Sequence, residues 1–305
     1  MSILLPPGAR IIAVSATGPY GRAQIAFMNR HGSSVVAVVA PGRTGLTEDG
    51  LPYYDTVAEA MDATGADAAA IYTPAGGCAD AIVECADARV PLVLAAAERV
   101  PVQDSLHALP YARERGTWVI GPNSVGMFRV GHALLGSFPG EFTLPGRTAV
   151  LGRSGTLTMT VARILSQHGF GQSWLCHIGG DLLAGRNPHE WLEMLLADED
   201  TDQVIYCGEL GGSKEYAMLD IVAAARKPVL AMIAGCHAPT GKRMGHAGAL
   251  ANARRETSAA KATALAEAGA RIATTPYGLV AYLGELDVPR HAAQPARPAR
   301  SGSTR

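Results

Sequence analysis

The chain has 305 residues, 48% of them hydrophobic, a length and apolar content that support about two domains with sizeable cores. Its 26 Lys and Arg against 27 Asp and Glu leave a net charge of −1, which excludes binding to nucleic acid or to a membrane surface through excess positive charge. No apolar run approaches the roughly 20 residues that span a bilayer, and the opening Met-Ser-Ile-Leu-Leu-Pro-Pro lacks the basic flank of a signal peptide, so a cytoplasmic protein is expected, with no nucleic-acid or membrane partner.

Short β-rich runs at 10–15, 34–39, 68–73, 90–95 and 117–120 alternate with helical patterns at 21–31, 56–65, 79–88 and 103–116. Such alternation reads as βαβ units around a parallel sheet. Thr56-Val-Ala-Glu59 is a capping box that opens one helix, and Gly65 is placed to end it. The stretch 128–146 is punctuated by Gly and Pro without clear periodicity and reads as a connection between domains 1–127 and 147–289. In the second domain, strands at 148–151, 173–178, 203–208, 228–233 and 271–274 alternate with helices at 156–168, 189–197, 214–226 and 258–269, again as a parallel α/β unit. Residues 290–305 hold four arginines, no acid and little apolar surface, the composition of a disordered tail.

The five cysteines, Cys78, Cys85, Cys176, Cys207 and Cys236, never form a Cys-x-x-Cys pair, which fits reduced thiols better than disulfides or zinc. The histidines show no metal-ligand spacing, and no metal site is expected.

The first strand runs into Thr17-Gly18-Pro19-Tyr20-Gly21 and then a helix, so backbone N–H groups and a positive helix end face the place where a phosphate would sit. The turn is not Gly-x-Gly-x-x-Gly, and the second strand leads to Pro41-Gly42-Arg43 with no acid to hold a ribose hydroxyl. That weakens NAD and leaves two ligands with an additional phosphate, NADP and coenzyme A (CoA), both served by Arg43. A glycine turn needed only for tight packing is the alternative. In the second half, Gly152-Arg153-Ser154-Gly155-Thr156 again opens a helix toward an anion, with Arg153 adding a positive charge. Ser154 lacks the Gly-x-Ser-x-Gly setting of a nucleophile and suits phosphate contact instead. The segment 235–243 misses a P-loop by one residue and by Arg243 where a hydroxyl should bind magnesium. Beyond it lies His246, between glycines and three residues past Arg243, with Lys242 and Arg243 as two cations just upstream. Imidazole is a nucleophile near neutral pH, and a carboxylate such as Glu209, at a strand end, would fix its tautomer. A loop histidine without chemistry, and Glu209 as a helix-entry acid, remain the alternatives.

Taken in order, Thr17-Gly-x-x-Gly21, Pro41-Gly42, Ile71-Tyr72-x-Pro74-Ala75, Glu98-x-x-Pro101, Ile120-Gly-Pro-Asn123, Arg153-Ser-Gly-Thr-Leu-Thr158, Ile178-Gly-Gly-Asp181, Gly208-Glu-x-Gly-Gly-Ser213 and Gly241-Lys-Arg-Met-Gly-His-Ala-Gly248 resemble the α subunit of succinyl-CoA synthetase and related nucleoside-diphosphate-forming acyl-CoA ligases, over about residues 1–286. The resemblance implies an N-terminal Rossmann-like CoA-binding domain followed by a flavodoxin-like ligase domain. It implies CoA contacts at Thr17, Gly18, Pro19, Tyr20, Gly21, Arg43, Tyr72, Pro74, Ala96, Ala97 and Glu98, a phosphohistidine at His246 oriented by Glu209, and phosphate contacts at Arg153, Ser154, Gly155 and Thr156. It also implies an ATP-grasp β subunit, in a heterodimer or heterotetramer, that brings ATP or GTP with Mg2+. That chemistry makes a thioester of a small carboxylic acid through an acyl phosphate. Met159 stands where the succinate enzymes carry a tyrosine, and Ser124 lies in Asn123-Ser-Val-Gly126, where they carry Asn-Cys-Pro-Gly. These two substrate positions leave malate or another hydroxy- or dicarboxylate open. They also motivate a CoA-binding regulatory subunit without ligase activity, while an NADP-dependent oxidoreductase rests on the first glycine turn alone.

Overall fold

The fold is described from a computed structural model covering residues 5–48, 50–239, 244 and 249–290. The first half runs β1 (Arg10–Val14), α1 (Pro19–Arg30), β2 (Ser34–Val39), β3 (Thr47–Glu48), β4 (Leu51–Tyr54), α2 (Val57–Thr64), β5 (Ala68–Ile71), α3 (Ala75–Asp87), β6 (Leu92–Ala95), α4 (Val102–Glu114) and β7 (Trp118–Ile120). Its sheet has the order β3-β4-β2-β1-β5-β6-β7, parallel except for the short β3–β4 pair. Without β3 this is the Rossmann order, in which the chain reverses direction across the sheet between β1 and β5. Both faces are covered, so β1 alternates between two cores: Ile11 and Ala13 face one, Ile12 and Val14 the other.

The second half runs β8 (Gly126–Arg129), β9 (Ala133–Gly136), β10 (Pro145–Gly152), α5 (Gly155–Gln167), β11 (Gln172–His177), α6 (Pro188–Ala197), β12 (Gln203–Glu209), α7 (Leu219–Ala224), β13 (Val229–Ala234), α8 (Ser258–Glu267), β14 (Arg271–Ile272) and α9 (Pro276–Glu285). Its sheet is ordered β14-β13-β12-β10-β11-β8-β9. The five strands from β14 to β11 are parallel and follow the flavodoxin order, with the switch between β10 and β12.

The structure departs from the sequence pattern at three places. The stretch read as an irregular connection supplies β8 and β9, a hairpin that pairs antiparallel with β11, so the second sheet is mixed. Its strands are four residues long and almost wholly buried, so no alternation of polar and apolar residues marks them. The single helix expected at 214–226 is a 3-10 turn, Lys214–Met218, followed by the short α7. Glu215 in that turn is drawn inward to Lys261 and Tyr206. The helix α9 was not anticipated: Thr275 caps it and Pro276 starts it, while Leu279 and Leu283 bury one face. The expected tail lies outside the described residues except for Arg290.

The halves share one apolar core, which runs from Ile11 and Met28 through Phe128 and Leu134 to Leu151 and Trp174. Across the seam, Trp118 meets Trp191 edge-on at 5.0 Å and Arg113 pairs with Glu190 at 2.8 Å. No helix among the described residues is long and apolar enough to cross a membrane.

Candidate active site

Two groups of the expected site residues lie at carboxyl ends of strands, where parallel α/β sheets bind ligands. In the first, Thr17 to Gly21 follow β1, Arg43 follows β2, Tyr72 and Pro74 follow β5, and Ala96 to Glu98 follow β6. These four strands are neighbours in the sheet, so the residues expected at the CoA site converge on one edge. Gly18 caps α1 without a side-chain bond, and the first turn contains no acid, which leaves its N–H groups and positive end to an anion. The two glycines of the turn differ. A Cβ on Gly21 would stand 2.5 Å from the Ala16 Cα, so this glycine serves packing of α1 on β1, whereas nothing lies within 4 Å of a Cβ at Gly18. Tyr20 is exposed and leans edge-on against Tyr72, ring centres 6.1 Å apart. Burial raises the Tyr72 phenol well above its usual range, so it stays protonated. The loop bearing Arg43 is held by Asp55, whose carboxylate accepts the N–H groups of Arg43 at 2.9 Å and Thr44 at 3.1 Å; those bonds hold the Asp55 carboxyl below its ordinary range.

In the second group, β10 ends at Gly152 and Ser154 caps α5, its hydroxyl accepting the Leu157 N–H at 3.4 Å. Again the first turn carries no acid. Behind it Arg153 is buried between two carboxylates, 3.9 Å from Glu209 and 3.7 Å from Glu215, and donates to the Gly211 carbonyl at 3.3 Å. Lys261, fully buried, stands 2.7 Å from Glu215 and donates to the carbonyls of Glu209 at 3.0 Å and Gly211 at 2.6 Å. Burial lowers the Lys261 ammonium, and the charge of Glu215 opposes that shift. Tyr206 donates to Glu215 at 3.0 Å, and burial pushes its phenol well above the usual value. Nearby, burial and the Arg153 charge lower Lys214 to about 8. Two cations and two carboxylates thus fix the turn after β12 and carry Glu209 to the wall of a cavity of about 540 Å³. Ser154, Cys236, His237, Met244 and Ala249 line the same cavity.

His177 supports this site from below. Its Nδ1 accepts the Val125 N–H at 3.0 Å, so the ring is neutral with its proton on Nε2, which donates to the Arg153 carbonyl at 3.0 Å. A Cβ on Gly155 would lie 3.0 Å from His177 Nδ1, a close approach that glycine permits.

His246 lies outside the described residues, as do Lys242 and Arg243. Its neighbours in sequence do not: the Met244 N–H donates to the Ala249 carbonyl at 2.9 Å, and both residues line the cavity with Glu209 and Ser154. Met159 and Thr156 line a different cavity, of about 310 Å³, with Phe142 and Arg163. Ser124 is buried, its hydroxyl donating to the His177 carbonyl and accepting the Gly126 N–H at 2.9 Å. Glu215, Lys261 and His177 carry no sequence motif that assigns them to this site. Lys261 shares the buried face of α8 with Ser258 and Leu265, a pattern that does not mark it locally.

Residues 10–99 match the family described as CoA binding domain, and residues 151–271 that described as CoA-ligase. The ADP-forming succinate–CoA ligase subunit alpha 2 of Archaeoglobus fulgidus is 36% identical over 286 residues, 94% of this chain and 100% of the relative. The malate–CoA ligase subunit alpha of Methylorubrum extorquens is 38% identical over 281 residues, 90% of this chain and 95% of the relative. Among solved structures, ATP citrate lyase from Methanothrix soehngenii, in complex with citrate and coenzyme A, aligns with a TM-score of 0.85 at 23% identity, covering 99% of this chain and 54% of that one. The chain therefore spans about half of that structure, and this likeness concerns the fold. With both domain families matched in order, and with curated relatives aligned over nine-tenths or more of its length, the chain belongs to the family of acid–CoA ligase α subunits.

Proposed function

We propose that this chain is the α subunit of a nucleoside-diphosphate-forming ligase that joins a small carboxylic acid to CoA through phospho-His246 and an acyl phosphate. The observation that carries the reading is the cavity in which Glu209 and the α5 N-terminus meet Met244 and Ala249, the described residues on either side of the histidine loop. The relatives named above are ligase subunits, which favours catalysis over a purely regulatory role.

In this reading an imidazole nitrogen of His246 attacks the terminal phosphorus of the nucleotide, and the diphosphate leaves. Glu209 accepts the N–H of the other ring nitrogen and stabilises the positive ring. The phosphoryl charge meets the N–H groups of Ser154, Gly155 and Thr156, with Arg153 holding Glu209 in place from behind. A substrate carboxylate oxygen then takes the phosphoryl group, breaking the P–N bond and restoring the imidazole. The CoA sulfur attacks the acyl carbon of the acyl phosphate and inorganic phosphate departs, which splits one difficult substitution into steps with good leaving groups.

The uncapped α1 terminus, Arg43, the Tyr20–Tyr72 pair and Ala96 to Glu98 form the CoA groove. A partner subunit of the ATP-grasp type supplies ATP or GTP and Mg2+, in keeping with the naming of the relatives as α subunits. A small dicarboxylate or hydroxy acid, of the succinate and malate kind, is the substrate class, with the Ser124 loop and, from the separate cavity alongside α5, Met159 as its selecting positions. Such a reaction, drawing on CoA and nucleotide, fits the cytoplasm.

The test is turnover of the chain together with its partner subunit. His246→Asn is expected to abolish diphosphate release that depends on CoA and carboxylate while leaving the CoA dissociation constant unchanged. Glu209→Gln, which replaces a charge-assisted hydrogen bond with a neutral one, is expected to slow phosphorylation by about ten- to a hundredfold. Full turnover in His246→Asn would refute the role assigned to it.

A further inference from the structure

The seam between the halves is closed by a carboxylate that none of the steps above uses. Asp181, 8% exposed, stands in the loop between β11 and α6. Its Oδ1 accepts the Arg99 N–H at 3.4 Å and the Asn123 side-chain amide at 3.1 Å, and its Oδ2 accepts the Val100 N–H at 3.3 Å. The donors sit on two loops that leave the first sheet. One follows β6 and carries Ala96 to Glu98; the other follows β7 and carries Asn123 and Ser124.

Backbone bonds interlace the same three loops. The Asn123 N–H donates to the Ala97 carbonyl at 2.7 Å, the Gly180 N–H to the Asn123 carbonyl at 3.0 Å, and the Gly185 N–H to the Gly121 carbonyl at 2.9 Å. The approach is close enough that a Cβ on Gly179 would lie 2.4 Å from the Pro122 carbonyl oxygen. Arg99 adopts a φ of +61°, a conformation that a long side chain holds only where its surroundings fix it, and Asn123 a φ of +60°, which asparagine accepts more readily. Asp181 binds both of these residues directly.

We propose that Asp181 is a positioning residue that locks the Ala96–Glu98 wall of the CoA groove to the loop carrying Ser124, so that CoA and the acyl group are presented in one fixed relation. The inference rests on the function proposed above. The loop after β7 also steadies His177 beneath the phosphate site, but through the Val125 N–H and the Ser124 hydroxyl, bonds in which Asp181 takes no part, so loss of the clasp falls on the CoA step first.

Kinetics of Asp181→Asn, assembled with the partner subunit, separate this role from general support of the fold. The amide keeps the size of the carboxylate but turns an N–H toward N–H donors. The KM for CoA is expected to rise about tenfold, while the single-turnover rate of phosphorylation by ATP stays at the parental value and the melting temperature falls by no more than about 5 °C. Adding Asn123→Asp to this variant restores a donor–acceptor pair between the two side chains and is expected to recover part of the loss. If Asp181→Asn folds poorly, Asn123→Ser removes one donor and leaves the carboxylate, with the same selective effect at smaller amplitude. An unchanged KM for CoA overturns the proposal, as does a matched loss of phosphorylation, CoA use and stability. Absence of CoA-dependent turnover in the parental complex would instead overturn the proposed function.

Discussion

Arg153, Lys261, Glu209 and Glu215 share a place with almost no solvent: side-chain exposures are 5%, 0%, 11% and 1%. Removing charges from water is costly, and mutual attraction offsets the cost only when geometry and hydrogen bonding are nearly complete. Here each cation has a carboxylate neighbour and at least one backbone carbonyl, and the four charges sum to zero. Such a cluster contributes less to stability than to definition. It fixes the turn from Glu209 to Ser213 so that one carboxylate, and not the other, reaches the cavity. Lys261→Met leaves Glu215 without its nearest cation and is expected to cost about 3–5 kcal/mol in urea unfolding. Adding Glu215→Gln, which removes the stranded charge, should recover more than half of that. A loss of less than about 1 kcal/mol in the single variant would mean that Arg153 alone sustains Glu215.

At the scale of elements, both sites use one device: a strand ends, glycine turns the chain, and a helix begins with no acid in its first turn. The two glycines opening α1 have separable duties. Gly21→Ala pushes a methyl group into the backbone of Ala16 and is expected to cost about 1–3 kcal/mol of stability, as overpacking does. Gly18→Ala has open space and is expected to spare stability to within about 1 kcal/mol while weakening CoA. Isothermal titration with CoA beside thermal unfolding reads both effects; equal losses of stability in the two variants would contradict the division.

The same scale shows what the sequence discloses. The capping box at Thr56 and Glu59 and the left-handed Gly65 stand where their residue types indicate, because these signals act within one helical turn. The glycine turns after β1 and β10 are legible for the same reason. The hairpin β8–β9 is not, because strands buried on both faces carry no alternating pattern, and pairing with β11 is a contact remote in sequence. Glu215 and Lys261 are 46 positions apart and look like surface residues of helices until the fold brings them within 2.7 Å. Asp181 is visible as part of Ile178-Gly-Gly-Asp181, but its partners on Arg99, Val100 and Asn123 belong to the other sheet.

For the whole molecule, each sheet reverses its strand order once, and each set of site residues sits beside that reversal: β1 with β5 in the first, β10 with β12 in the second. The continuous core from Met28 to Trp174, with the Asp181 clasp above it, joins the two halves over a broad front rather than through a linker. Such a body suits a reaction in which a thiol held by one half must meet an acyl group activated by the other. The proposed chemistry runs through a phosphoryl group carried by His246. The most direct measurement is peptide mapping by mass spectrometry of the chain, assembled with its partner subunit and incubated with ATP and Mg2+, before and after addition of CoA with succinate or malate. An acid-labile phosphoryl group on His246 that disappears as the matching thioester forms is the predicted result. A phosphoryl group on another residue, or phospho-His246 that persists while thioester accumulates, would contradict the phosphohistidine role.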